Sequence, residues 1–200
     1  MTSQVQHVNV KIFAEGPAVA DLDLGGAIPV FHRWIQESVF EELLIDVADY
    51  RHVPAGPGVL LVGHEANYSL DLSFYRLGLL YNRKARRDGG PWDNLSQAFH
   101  AALAACLRLE DEPEFQGKLK FNAGDCEVIL NDRLLAPNTE ATWQALRPEF
   151  EEFFDGLYGG IGFTFERPGD PRERFRVGVK ANGAVELRAL LEELGRGRLA

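Results

Sequence analysis

Histidine, carboxylate and amide side chains cluster between residues 52 and 71, and these residue types can bind metal ions or transfer protons. The candidates are His52, His64, Glu65, Asn67 and Asp71. Carboxylate and amide oxygens bind hard cations, and a histidine beside a carboxylate can act in general acid–base catalysis. The segment therefore raises the hypothesis of a ligand or metal site, with metal-assisted hydrolysis as the reaction. The spacing matches no zinc-binding pattern such as HExxH, so no catalytic residue is assigned.

The alternation of residues 59–71 predicts one β-strand, in which successive side chains point to opposite faces. One face then carries Leu60, Val62, His64, Ala66, Tyr68 and Leu70, and the other carries Gly63, Glu65, Asn67, Ser69 and Asp71. The apolar neighbours of His64 and Tyr68 favour a half-buried, hydrogen-bonded pair. The polar row is typical of a solvated sheet face, and its alternative is an oxygen-rich surface for a cation or a sugar-like ligand.

A set of basic residues occupies the polar positions of the later strands, in contrast to the acidic average of the chain. These residues are Lys118, Lys120, Arg174, Arg176 and Lys180. Antiparallel sheets commonly pair such a face with cross-strand acids, which is one interpretation. The other is an interaction face for an acidic partner, or for an acidic segment of another copy such as residues 15–26.

Composition and charge narrow the class of protein. The chain has 200 residues, of which 46% are hydrophobic and 26% charged, as expected of a folded domain. Its net charge of −9 disfavours binding to nucleic acid or to an anionic membrane. The N-terminus lacks a basic run followed by an apolar segment, and no stretch approaches the roughly 18 apolar residues of a membrane span. We therefore expect an unprocessed, cytoplasmic chain.

The spacing of the cysteines and the absence of phosphate-binding motifs argue against a zinc site and against a nucleotide-binding loop. Cys106 and Cys126 have no CxxC or Cys/His spacing, so both are expected to be free, buried thiols. The chain contains no GxSxG, GxxxxGK[ST] or GxGxxG motif. We therefore expect no cofactor.

Hydrophobic periodicity predicts the elements that position these residues. Strands are predicted at 8–13, 43–50, 59–71, 77–82, 119–121, 128–130, 161–165 and 175–179, and helices at 27–42, 93–107, 139–158 and 187–194. This order of hairpins and helices predicts an α+β fold with an open antiparallel sheet and helices mainly on one face. It fits a ferredoxin-like βαββαβ unit with an inserted strand, followed by a C-terminal βαββα extension. Residues 1–200 are expected to form a single domain, with a possible division near 110–117.

These features favour a non-catalytic binding or assembly protein that acts through an exposed sheet face or through self-association. The expected partner is another protein or a second copy of the chain, with no nucleic acid and no membrane. A metal-assisted hydrolase that uses the polar row of residues 59–71 is the alternative.

Overall fold

The computed structural model of the protein describes residues 6–16, 22–115 and 117–197. Its strands are β1 (Val8–Ala14), β2 (Leu44–Tyr50), β3 (Gly58–Gly63), β4 (Ala66–Asp71), β5 (Gly78–Arg83), β6 (Phe121–Leu130), β7 (Phe163–Glu166) and β8 (Phe175–Ala181). Its helices are α1 (Ala27–Glu37), α2 (Pro91–Asp111), α3 (Glu140–Tyr158) and α4 (Leu187–Gly197). The predicted α+β class is confirmed. Residues 17–21 of the acidic 15–26 segment lie outside the described residues.

The eight strands form one open sheet in the order β2-β3-β4-β5-β1-β6-β8-β7. Each neighbouring pair is antiparallel, as predicted. β6 pairs with β1 on one side and β8 on the other, so the sheet includes strands from both sides of residues 110–117. The ferredoxin-like unit and the single domain stay predictions.

One face of the sheet, here called the helix face, carries the core. Tyr68, Tyr81, Val10 and Val128 lie side by side across four strands and point to this face. Gln97 of α2 hydrogen-bonds the Tyr81 hydroxyl there. Large buried side chains from the helices, among them Trp34, Phe99 and Phe154, complete the core.

The helix predicted at 139–158 is present as α3, and its buried side carries aromatic residues. The helix begins after Thr139, whose hydroxyl accepts a hydrogen bond from the backbone N–H of Thr142, and ends at Gly159, which has a φ of 60°. A glycine adopts this left-handed conformation without steric cost, which ends the helix. The ring of Phe154 lies 5.5 Å from that of Phe99 in α2 and 6.1 Å from that of Phe165 in β7, so it joins helix to helix and helix to sheet.

The prediction of one strand over 59–71 is wrong. The segment is a hairpin of β3 and β4 that reverses at His64 and Glu65. The reversal shifts the alternation by one, so Val59 and Leu61 share the helix face with Tyr68, whereas Leu60 and Val62 do not. The hairpin of 43–50 with the first half of this segment is confirmed as the β2–β3 pair.

Two further boundaries differ from the expected ones. α1 ends at Glu37 rather than residue 42, because Ser38 adopts a left-handed conformation with a φ of 49°. Residues 119–121 and 128–130, predicted as two strands, belong to one stretch whose strand is β6. Ile12 pairs with Cys126 and Ala14 pairs with Phe121, so two positions along β1 correspond to five positions along β6. This irregularity interrupts the alternation of inward and outward side chains in β6.

Within the described residues, no helix is long and apolar enough to cross a bilayer.

Candidate functional site

The structure separates the predicted ligand residues instead of gathering them. His52 is exposed in the β2–β3 loop, and His64 is exposed in the β3–β4 turn. β3 lies between these two positions, and its six residues span about 17 Å. Tyr68 donates its hydroxyl proton to Glu42 at 2.6 Å, so its partner is not the expected His64. In the part of the chain that the structure describes, no group of three His, Cys, Asp or Glu residues is arranged to hold a metal ion.

Asp71 is buried in an ion pair. Its Oδ1 accepts a hydrogen bond from the Lys11 ammonium at 2.5 Å, and each side chain is only 3% exposed. Lys11 also donates to the carbonyl of Arg76 at 2.7 Å, while Asp71 accepts from the backbone N–H and the hydroxyl of Ser73. Burial lowers the pKa of Lys11, and the charge of Asp71 opposes that shift. The pair therefore anchors the segment between β4 and β5.

This segment, the 72–77 loop, lies against the sheet face that points away from the helix face. We call that surface the open face. Its side chains include Lys11, Glu127, Arg176 and Glu166. The Arg176 guanidinium lies 3.8 Å from the centre of the Phe74 ring, which places the loop over β8. A cavity of about 330 Å³ lies between the loop and these strands.

Phe74 and Tyr75 are the unusual feature of the 72–77 loop. Their side chains are 58% and 83% exposed. Both residues have positive φ angles, 59° and 56°. For bulky residues this left-handed conformation costs roughly 1–2 kcal/mol each, and such strain clusters at binding sites and switch regions. The loop thus displays two aromatic rings to solvent in a conformation that the chain does not adopt readily.

Three of the basic residues predicted as an interaction face form ion pairs with carboxylates of the protein. Lys118 and Lys120 precede β6, and Lys120 pairs with Glu110 of α2 at 2.8 Å. Arg176 lies between Glu127 at 3.5 Å and Glu173 at 2.9 Å. Lys180 lies 3.8 Å from Glu166.

The last of the predicted basic residues, Arg174, forms an isolated bridge with Pro137 and donates weakly to Asn131. Within the 72–77 loop, Arg76 pairs with Asp125 at 2.8 Å. The open face therefore carries charges of both signs, arranged in pairs.

Glu127 is a half-buried acid on the open face. Burial raises its pKa, and the nearby charges of Arg176, Lys11 and Arg76 oppose the rise. Its charged form is therefore less favoured here than in water.

A second region of the open face, on β3, β4 and β5, has no ionisable side chain. This charge-free patch consists of the half-buried residues Leu60, Val62, Asn67, Leu80 and Asn82, together with Ser69, which is buried. The patch adjoins Asn9, which is fully buried and whose amide atoms have no hydrogen-bond partner among the residues that the structure describes. Depletion of charge is characteristic of the centre of a protein–protein interface.

The helix face contains a groove above β4 that the sequence analysis did not find. α1 packs on β2 and β3, and α2 packs on β1, β5 and β6, so β4 lies between the strands that the two helices cover. The groove has a volume of about 1130 Å³, and Phe40, Tyr81 and Gln97 are among its lining residues.

A hydrogen-bonded network of buried polar groups forms the floor of the groove. Arg83 is 4% exposed and donates to the Tyr81 hydroxyl, to Gln97 and to Glu65. Burial raises the pKa of both Tyr68 and Tyr81, so both hydroxyls are neutral donors. The sequence signal was present but weak, because Arg83 belongs to a basic run, 83–87, that is typical of a solvated loop.

Comparison with models of known protein families finds no match, and neither the curated proteins nor the solved structures contain a significant match to this chain.

Proposed function

We propose that the protein is a non-catalytic binding or assembly protein of the cytoplasm, and that it associates with a second copy of itself through the open face. The observation that carries this proposal is the exposure of Phe74 and Tyr75 in strained left-handed conformations. Burial of two aromatic rings in an interface would offset the cost of that strain, since such rings dominate interface energetics.

The choice of a second copy rests on the charges around the loop. Arg76 lies beside Asp125, and Arg176 lies beside Glu127, so each base is next to an acid. In a two-fold dimer the same surface meets itself, and a surface with paired charges of both signs can be complementary to its own copy. An acidic partner would instead require an excess of positive charge.

The charge-free patch supports the same surface. It extends the contact area from the 72–77 loop across β5, β4 and β3 with side chains that carry no formal charge. Two sheets that pack face to face lie about 10 Å apart, a spacing that such short side chains can fill. We also propose that β1 to β6 form the ferredoxin-like unit. This assignment describes only the scaffold, and the proposed dimer does not depend on it.

Sedimentation velocity over a range of protein concentrations tests the proposal. We expect a reversible dimer for the wild type and a dimer weakened at least about tenfold for the double variant Phe74→Ser/Tyr75→Ser, because each ring is a candidate hot spot worth about 1–2 kcal/mol. The matched control is Leu43→Ser, which removes a 67% exposed apolar side chain next to the edge strand β2. A wild type that is monomeric at all concentrations would refute self-association, as would equal dimerisation of the double variant and the wild type.

A further inference from the structure

The groove above β4 is a second candidate binding site, on the opposite side of the sheet from the open face. It follows α2 from Asp93 to Ala104, a stretch of twelve residues that rises about 16 Å along the helix. An extended peptide of about five residues has this length. The groove volume of about 1130 Å³ exceeds the roughly 300–1,000 Å³ of typical small-molecule pockets. Its dimensions therefore fit a segment of polypeptide.

The charges that line the groove are mostly negative. The five carboxylates are Glu41, Glu42, Glu65, Asp88 and Asp93. The guanidinium groups are those of Arg83 and Arg87, and His100 also lines the groove. Arg83 is already bonded to Glu65, and Arg87 donates to the carbonyl of Asp93. The lining thus has more negative than positive charge, and its two guanidinium groups already contact acceptors of the protein.

Two hydrogen bonds hold the Glu42 carboxylate in an orientation that suits a bound cation. Its Oε1 accepts from the Tyr68 hydroxyl at 2.6 Å, and its Oε2 accepts from the backbone N–H of Ala66 at 3.0 Å. Both donors are neutral, so they fix the orientation of the carboxylate without balancing its charge. An ammonium or guanidinium group in the groove would supply that balance and form a charge-assisted hydrogen bond.

Aromatic rings stand next to this carboxylate. The Phe40 ring stacks on the Tyr68 ring with centres 5.0 Å apart and planes 14° apart. Phe40 is half-buried and lines the groove. A cation over an aromatic face gains about 0.5–2 kcal/mol. Carboxylate and aromatic groups together favour the long, amphipathic side chain of lysine or arginine, whose apolar stem and charged end need different surroundings.

We propose that the groove binds a basic, extended segment of a partner protein, with a lysine or arginine side chain between Glu42 and Phe40. Because the groove lies on the helix face, this site does not depend on self-association through the open face. The two surfaces can be occupied at the same time.

Fluorescence anisotropy with a labelled hexapeptide that alternates glycine with lysine tests the proposal on the full-length protein. We expect saturable binding that weakens with added salt, and no binding of the peptide in which glutamate replaces lysine. Glu42→Gln keeps the size of the side chain and removes its charge, and we expect it to weaken binding about tenfold. Glu152→Gln, on the exposed side of α3, is the matched control and should bind like the wild type.

A second variant tests the groove without changing Glu42 or its hydrogen bonds. Ala101 lines the groove from α2 and is partly exposed, so Ala101→Phe should obstruct the groove and weaken binding while every charge is retained. Equal affinity of Glu42→Gln, Ala101→Phe and Glu152→Gln would overturn the proposal, because it would show nonspecific attraction to an acidic protein. Absence of binding to the folded wild type would overturn it too. Displacement of the peptide by equimolar butylamine would show a site for a single amine and refute the choice of a peptide.

Discussion

Replacement of Lys11 by methionine tests whether the buried ion pair holds the 72–77 loop. Methionine has nearly the same length but no charge, so the change leaves Asp71 as a buried carboxylate with only the two donors of Ser73. It also removes the donor of the Arg76 carbonyl, which lies 2.7 Å from the Lys11 ammonium. An unpaired buried charge costs about 3–5 kcal/mol. We therefore expect the free energy of unfolding to fall by about 3–5 kcal/mol.

Urea denaturation of the wild type, Lys11→Met, Asp71→Asn and the double variant measures this coupling. The double variant should lose less than the sum of the single losses, with a coupling energy of about 0.5–3 kcal/mol, because neither charge is then left alone. Lys118→Met is the control, since this lysine is exposed and its loss should change stability by less than about 0.5 kcal/mol. A loss below about 1 kcal/mol for Lys11→Met, or single losses that simply add, would refute the reasoning.

Two further predictions concern the core and the open face. Phe154→Ala should lower the free energy of unfolding by about 3–5 kcal/mol in urea denaturation, because the ring is fully buried, whereas the exposed neighbour Asp155→Ala should change it by less than about 0.5 kcal/mol. Burial raises the pKa of Glu127 above its ordinary value of 4.5, so the folded protein binds this proton more tightly than the unfolded chain does. The free energy of unfolding therefore falls as the pH rises from 4.5 through the raised pKa. Glu127→Gln should therefore gain stability relative to the wild type across that window and then level off, and a relative loss with rising pH would contradict the assignment.

The sequence predicted those elements whose periodicity is unambiguous. In α3 the aromatic residues recur at helical spacing, and Thr139 and Gly159 mark its ends, so both its position and its buried face were predictable. The β3–β4 hairpin was not, because Leu60 and Val62 are as apolar as Val59 and Leu61. Because all four residues are apolar, the sequence does not show which of them face the core. Moreover, the turn residues His64 and Glu65 carry neither the glycine nor the positive φ by which tight hairpins are recognised.

The sites were harder to predict because they depend on contacts between distant residues. Asp71 was a ligand candidate by residue type, but its partner Lys11 is 60 positions away in the chain. Glu42 and Tyr68 meet only because the chain after α1 returns over β4. Arg83 belongs to a basic run that is typical of a solvated loop, and its burial follows from Gln97 on α2, which approaches β5 only in the folded sheet. Local patterns contain no information on these pairs.

The position of β1 has a consequence for how the chain folds during synthesis. β1 is synthesised before the other strands of this sheet, yet its two neighbours in the sheet are β5 and β6. β6 ends at Leu130, which lies 116 positions after Ala14 at the end of β1. At about 5–20 residues per second, both edges of β1 stay unpaired until β5 has been synthesised, roughly 3–14 seconds after β1. One edge stays unpaired until β6 has been synthesised, roughly 6–23 seconds after β1. A nascent chain with an apolar strand in this state is a substrate for chaperones, and translation pauses between α2 and β6 should increase its aggregation.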